Sequence, residues 1–157
     1  QKLMNCDKAI FEEIIYLSCK KKQVSVEKDE KEKGERGLLN LGNTFAHALE
    51  TLTHYKHYLH GEAVSIGILM ALTLSYKKWF VDSSVVEDYA QLFEKLNLPT
   101  KIMVKLDVDD FLQAMTKDKK NQSNTYRIIF AGRDGCTIQE ENDNELLANV
   151  IKEYMIG

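Results

Sequence analysis

All four histidines of the chain lie between Leu39 and Ala63, in the stretch "LNLGNTFAHALETLTHYKHYLHGEA". Asn43 stands four residues before His47 and Glu50 three residues after it, so a helix would place these side chains on one face. His60 precedes Glu62 at the start of a long apolar segment. Imidazole is a common metal ligand and transfers protons near neutral pH. The stretch therefore makes His47 and His60 candidates for a metal or proton-transfer site. A histidine near a helix end is more commonly a capping or surface residue, and two histidines alone do not complete a zinc site.

The same region is suited to an anion. Arg36 and Asn40 lie just upstream, and two predicted helix N-termini converge there. Free backbone amides and the helix dipole favour negative charge at such ends. Lys119 and Lys120 precede a predicted strand, and they are either an exposed basic turn or point charges for a phosphate or carboxylate.

Helical periodicity dominates the elements that must position these residues. Asn5 or Asp7 is the predicted cap of a first helix with Ile10, Ile14 and Leu17 on one face. The charge-rich "EKDEKEKGER" is expected to be a solvated loop. A second helix is predicted from about Gly42 to Thr53, with Asn43 or Thr44 as its N-cap. His54 and His57 fall in a polar connection and are interpreted as surface residues. "HGEAVSIGILMALTLSYKKWF" is apolar nearly all round, which predicts a long helix enclosed by other helices.

Four further elements follow. A helix should open at Ser83 or Ser84 and end before Leu98, since the residue before a proline avoids helical geometry. "DVDDFLQAMTKD" predicts a short capped helix, and "DNELLANVIKEYM" predicts a capped amphipathic helix at the end. "TYRIIFAG" and "CTIQEE", separated by "GRDG", predict a hairpin. The expected fold is mainly α: one helical, bundle-like domain over residues 1–157 with a small β-hairpin.

Composition excludes several classes of protein. The 157 residues carry a formal net charge of -3, unlike a nucleic-acid binder, which is normally basic. No apolar run approaches the roughly 20 residues of a membrane span. Three cysteines without a CxxC pair suit a reducing cytoplasm. The chain has no initiator Met and no signal-peptide core, so we expect it to be a piece of a longer protein. It contains no GxGxxG, GxxxxGK[ST] or GxSxG motif.

Three segments carry a resemblance to a known family. "DEKEKGERGLLNLGNTFAHALE", "LHGEAVSIGILMA" and "DKKN…YRIIFAGRDG" resemble 3-dehydroquinate synthase, a sugar-phosphate cyclase of the shikimate pathway. The resemblance covers nearly the whole chain but only the family's helical C-terminal domain. It implies that the N-terminal NAD-binding domain, and a following segment with a glutamate metal ligand and a catalytic lysine, are absent here. The isolated chain would then be inactive, and the full protein would be a cytoplasmic homodimer.

The resemblance also implies a reaction. The family converts 3-deoxy-D-arabino-heptulosonate 7-phosphate to 3-dehydroquinate and phosphate. Bound NAD carries the hydride chemistry, and a divalent metal, zinc or cobalt, polarises hydroxyl and carbonyl oxygens. Cationic side chains must hold the phosphate and the carboxylate of the substrate.

Residue roles follow from the resemblance position by position. His47 matches a catalytic histidine near the phosphate that is not a metal ligand, and Lys22 matches a lysine near the substrate hydroxyls. Arg36 matches an arginine that pairs with a substrate anion, and Asn40 matches a substrate-binding amide. His60 matches the metal-binding histidine of "LHGE". Lys119 or Lys120 matches the lysine that grips the phosphate.

Asn43 departs from the family pattern, which has a metal-binding histidine at this position. An amide oxygen is a weaker zinc ligand than imidazole. Three explanations stand: a natural change that weakens zinc binding and favours another ion or water, an engineered or accidental substitution, or a paralogue that has lost activity. Another sugar-phosphate cyclase, a metal-dependent alcohol dehydrogenase of similar fold, and a non-enzymatic helical interaction domain are the alternative functions.

Overall fold

A computed structural model of the chain describes residues 7–30, 34–116 and 125–156. The chain divides into two compact units, one ending at Leu39 and the other beginning at Asn40, and each is described by itself. The prediction of one domain over residues 1–157 stays a prediction. None of the helices in the described ranges is long and apolar enough to cross a membrane.

The first unit contains one long helix, α1 (Lys8–Lys28). The Asp7 carboxylate accepts hydrogen bonds from the backbone amides of Ala9 and Ile10, which confirms Asp7 as the predicted cap. Beyond this helix, Asp29 Oδ2 accepts bonds from the backbone amides of Gly34 and Arg36, at 2.7 and 3.1 Å. The middle of the predicted loop, residues 31–33, lies outside the described residues, and a 3₁₀ helix, Glu35–Asn40, begins at the end of that loop and was not predicted.

The second unit is built around helix α3 (His60–Lys77), whose residues are buried almost continuously from Ala63 to Ser75. This burial confirms the prediction of a helix enclosed by other elements. Helix α2 (Asn43–Leu52) packs against it. Helices α4 (Ser83–Lys95), α5 (Val108–Thr116) and α6 (Asn144–Tyr154) occupy the predicted positions. Of these, α4 and α6 contact α3, and α5 packs on α2 and α6.

The predicted hairpin is confirmed. Strand β1 (Tyr126–Gly132) pairs antiparallel with β2 (Gly135–Glu141), with Ile129 opposite Ile138. β1 packs on α3, and the Ser75 hydroxyl accepts a hydrogen bond from the Ala131 backbone amide. At the end of β2 the Glu141 carboxylate, 4% exposed, pairs with Lys78 just beyond α3 at 2.8 Å.

Helices α2 and α3 meet at two glycines. Gly42 has φ = 82°, and a Cβ at Gly67 would collide with the carbonyl oxygen of Gly42. Gly42 is the N-cap of α2, and no side chain caps this end. The prediction that Asn43 or Thr44 is the N-cap is therefore wrong, because the chain needs a left-handed residue here that can touch the backbone of α3.

Candidate metal centre

Two helices of the second unit position the candidate site. Asn43, His47 and Glu50 follow one another at one-turn spacing along α2, and His60 is the first residue of α3. Between the helices the chain reverses through His54 and Tyr55, which have φ values of 53° and 56°. The Tyr55 amide donates to the Glu50 carbonyl at 2.8 Å, which closes the end of α2. This reversal returns the chain so that His60 lies beside the last turn of α2.

The structure brings His47, Glu50 and His60 together. Each offers a nitrogen or carboxylate oxygen, and these three atoms lie within 4.8 Å of one another. Glu50 Oε1 accepts a hydrogen bond from His60 Nδ1 at 2.9 Å. The rings of His47 and His60 stack with centroids 6.1 Å apart and an interplanar angle of 25°. The two imidazoles are exposed and Glu50 is buried, so the cluster has a buried carboxylate beneath two histidine rings that solvent can reach.

Asn43 and Asn40 form a second polar pair at the start of α2. The Asn43 amide nitrogen donates to Asn40 Oδ1 at 3.0 Å, and both side chains are half-buried. This bond uses a nitrogen of Asn43 and leaves its amide oxygen as the atom with ligand chemistry. Asn43 occupies the position where the resemblance to the family leads one to expect a histidine ligand.

The donor set suits a divalent metal of the zinc and cobalt type. Zinc accepts imidazole nitrogen and carboxylate oxygen at about 2.0–2.2 Å, and one such atom from each of the three side chains lies within 4.8 Å of the others. A set of fewer than four protein donors also leaves a coordination position open, as catalytic zinc sites require. The residues present therefore fit such an ion.

The remaining candidate residues fall in different places. Lys22 is an exposed residue of α1, and Arg36 donates from its guanidinium to the Glu30 carbonyl at 2.8 Å, both within the first unit. Lys119 and Lys120 lie outside the described residues. His54 and His57 are exposed in the connection between α2 and α3, where the surface interpretation placed them.

Glu50 is the residue whose role was missed. Its spacing from His47 on one helix face was visible, but its partner His60 lies ten residues away across a reversal of the chain. The sequence signal for a partner of Glu50 is that this carboxylate follows Ala48 and Leu49, two apolar residues that lie in the core. A buried carboxylate needs a partner, and this requirement could have directed attention to Glu50.

Solved structures share the fold of this domain. A 2-deoxy-scyllo-inosose synthase complexed with carbaglucose-6-phosphate, NAD⁺ and Co²⁺ matches with a TM-score of 0.68 and 21% identity, over 78% of this chain and 36% of that one. A 2-epi-5-epi-valiolone synthase from Streptomyces hygroscopicus subsp. jinggangensis 5008, with NAD⁺ and Zn²⁺ bound, matches with a TM-score of 0.66 and 17% identity, over 83% and 36%. The chain thus shares its fold with parts of these two synthases.

Sequence comparison defines the family. The family described as 3-dehydroquinate synthase C-terminal matches residues 1–121, and the chain belongs to this family. The 3-dehydroquinate synthase of Vesicomyosocius okutanii is 42% identical over 97% of this chain and 42% of its own length. That of Pseudoalteromonas translucida is 38% identical over 98% of this chain and 43% of its own length. The chain spans about two-fifths of the length of these curated relatives.

Proposed function

We propose that this chain supplies the metal- and substrate-binding domain of a 3-dehydroquinate synthase. The complete enzyme would convert 3-deoxy-D-arabino-heptulosonate 7-phosphate to 3-dehydroquinate and phosphate, as a phosphate-eliminating carbon–oxygen lyase of the shikimate pathway. The cluster of His47, Glu50 and His60 carries the proposal. It provides metal-binding chemistry in a chain whose named relatives are synthases at about 40% identity.

His60 would hold the divalent metal, with the amide oxygen of Asn43 as the further donor from α2. When bound, the ion supplies Lewis-acid polarisation of substrate oxygens. The ring of His60 is 61% exposed, so a solvent-borne ion and a hydroxylated substrate can both reach it. Hydride transfer needs NAD, and we propose that NAD is bound mainly by a domain that this chain does not contain.

His47 would act on the proton that leaves or joins a substrate oxygen near the phosphate. Its imidazole is exposed, next to His60, and held on one turn of α2. A proton acceptor placed beside the metal ligand can serve a substrate oxygen without moving the helix, and imidazole exchanges protons near neutral pH. The stacked ring of His60 restricts where this imidazole can point.

Cationic and amide groups would hold the rest of the substrate. Asn40 offers an amide beside Asn43 at the start of α2. Lys22 and Arg36 are proposed to bind a hydroxyl and an anion, and the planar guanidinium of Arg36 suits a carboxylate or phosphate. Lys119 or Lys120 is proposed to grip the phosphate end. In the same proposal the full protein is cytoplasmic and homodimeric, and this chain alone is inactive.

Phosphate release tests the proposed activity. The full-length protein that contains this chain should release phosphate from 3-deoxy-D-arabino-heptulosonate 7-phosphate when NAD and Zn²⁺ or Co²⁺ are present. His47→Ala should lower the turnover number, and His57→Ala, which replaces an exposed histidine in the connection between α2 and α3, is the matched control. No release, including in the Asn43→His variant, would remove the synthase assignment.

The alternative is that the complete protein is a different sugar-phosphate cyclase. Its support is the fold shared with a 2-deoxy-scyllo-inosose synthase and a 2-epi-5-epi-valiolone synthase. Against it stands the higher identity to 3-dehydroquinate synthases, about twice that to the solved cyclases. Offering other sugar phosphates under the same conditions separates the two activities. Release of phosphate from one of them, without turnover of the heptulosonate, would favour the alternative.

A further inference from the structure

Glu50 is a carboxylate buried at the contact between α2 and α3. Its side chain is 7% exposed, whereas the side chain of its partner His60 is 61% exposed. The partner atoms are Glu50 Oε1 and His60 Nδ1, 2.9 Å apart. Burying an ionised carboxylate is costly unless it is hydrogen-bonded or paired. The bond to His60 meets this need, so the two side chains stabilise each other in one arrangement.

The bond determines which ring nitrogen of His60 carries a proton. An ionised carboxylate can only accept hydrogen bonds, so Nδ1 of His60 must be the donor. A neutral imidazole has one protonated nitrogen and one with a lone pair. Neutral His60 is therefore fixed as the Nδ1–H tautomer, and its lone pair is on Nε2. The exposure of the ring makes Nε2 the nitrogen that an incoming ion can reach.

We propose that Glu50 is the positioning residue of the metal centre, holding His60 as an Nε2 donor while remaining outside the ligand set. Metal-binding histidines almost always donate their other ring N–H to a carboxylate, carbonyl or water, and this contact fixes the tautomer and raises the basicity of the ligand. The inference rests on the proposed function only for the catalytic role of the ion. The binding of the ion to this chain can be measured without the reaction.

Direct ligation by Glu50 is the competing arrangement. The oxygen and the two imidazole nitrogens lie within 4.8 Å, so distance alone allows it. Burial and bonding favour the positioning role, because Oε1 is already bonded to Nδ1 and the carboxylate is far less accessible than the ring. Direct ligation would require Glu50 to give up that bond or to reach past the ring.

Two substitutions separate these roles. Glu50→Gln keeps an oxygen that accepts from Nδ1–H but removes the negative charge. Glu50→Leu keeps the approximate volume and removes the acceptor. Glu62→Gln is the matched control, since Glu62 is also near the start of α3 but its carboxylate accepts from the Leu59 amide at 2.8 Å.

Nitrogen NMR of this chain at a pH where His60 is neutral measures the tautomer. We expect Nδ1–H in the unsubstituted chain, in Glu50→Gln and in Glu62→Gln, and loss of this preference in Glu50→Leu. A preference for Nε2–H in the unsubstituted chain would overturn the inference. A role in folding alone would leave the tautomer unchanged in a folded Glu50→Leu chain, and this result would also overturn it.

Zinc titration of the same variants measures the consequence for binding. Loss of a carboxylate that orients a ligand lowers metal affinity by about 10–100-fold, so we expect a loss of this size in Glu50→Leu. Glu50→Gln should lose less, and Glu62→Gln should be unchanged. An equal loss of zinc affinity in the Gln and Leu variants would identify Glu50 as a direct ligand. Absence of zinc binding in the unsubstituted chain would refute the assignment of His60 Nε2 as a zinc donor. A full-length protein that binds zinc in this way but releases no phosphate would refute the proposed function alone.

Discussion

Replacing Gly67 with alanine tests whether the close approach of α2 and α3 holds the site together. A Cβ at this position would overlap the Gly42 carbonyl oxygen and lie 3.1 Å from the Ala46 amide nitrogen. Both obstacles are backbone atoms, which cannot rotate away as a side-chain end can. The two helices must therefore separate, or the start of α2 must shift.

The expected change in the free energy of unfolding of Gly67→Ala combines two opposing contributions. Overpacking a core costs about 1–3 kcal/mol, and a backbone obstacle places Gly67→Ala near the upper value. Alanine recovers up to about 1 kcal/mol of helix propensity relative to glycine. We expect a net loss of roughly 2 kcal/mol in the free energy of unfolding, which lowers Tm by roughly 4–8 °C.

Urea and thermal denaturation followed by circular dichroism measure this loss. Gly61→Ala is the control on the same helix, because a Cβ at Gly61 meets no atom within 4 Å. It should leave stability unchanged or raise it by less than about 1 kcal/mol. Gly67→Ala should also weaken zinc binding, since the separation of His47 from His60 depends on the same helix contact. A Gly67→Ala chain as stable as the parent would refute this account of the helix packing.

Three further predictions concern other parts of the molecule. Asn43→His adds an imidazole and should raise the zinc affinity of the chain at least about tenfold, or about 1.4 kcal/mol. Calorimetry, with Asn43→Ala as the control, measures this affinity. No gain in affinity would count against a metal-ligand position at the start of α2. Lys78→Met should lower the unfolding free energy by about 1–2 kcal/mol because it leaves the buried Glu141 carboxylate without its cation; an unchanged urea midpoint would contradict this. Burial raises the pKa of the Tyr154 phenol above its ordinary value of 10.0 and outweighs the opposing hydrogen bond. The unfolded state therefore loses this proton first, so the contribution of Tyr154 to stability should be complete below about pH 10 and fall as pH rises above it. Tyr154→Phe should reduce that slope and leave the parts due to Tyr126 and Cys136, whose pKa values burial also raises; an unaltered slope would contradict the assignment.

Local patterns were sufficient to predict most of the elements. The apolar run after His60 and the turn residues between the two strands each specify their structure over a short span, and both predictions are confirmed. The cap of α1 was also local, since Asp7 bonds to amides two and three residues ahead. In each case the deciding interaction lies within a few residues in the sequence.

The features that were missed depend on distant residues. Gly42 caps α2 because the Gly67 backbone leaves no room for a Cβ, and this contact joins positions 25 residues apart. Glu50 reaches His60 because the chain reverses through His54 and Tyr55 in left-handed conformations, which neither residue type makes obvious. Sequence spacing could group His47 with Glu50 on one helix, but the meeting with His60 is a result of helix packing.

Zinc-edge anomalous diffraction from crystals of this chain equilibrated with Zn²⁺ tests the metal centre most directly. We predict an ion about 2.0–2.1 Å from Nε2 of His60, with Glu50 Oε1 still bonded to Nδ1 of the same ring. An ion bound through Nδ1, or zinc sites that exclude His60, would contradict the account.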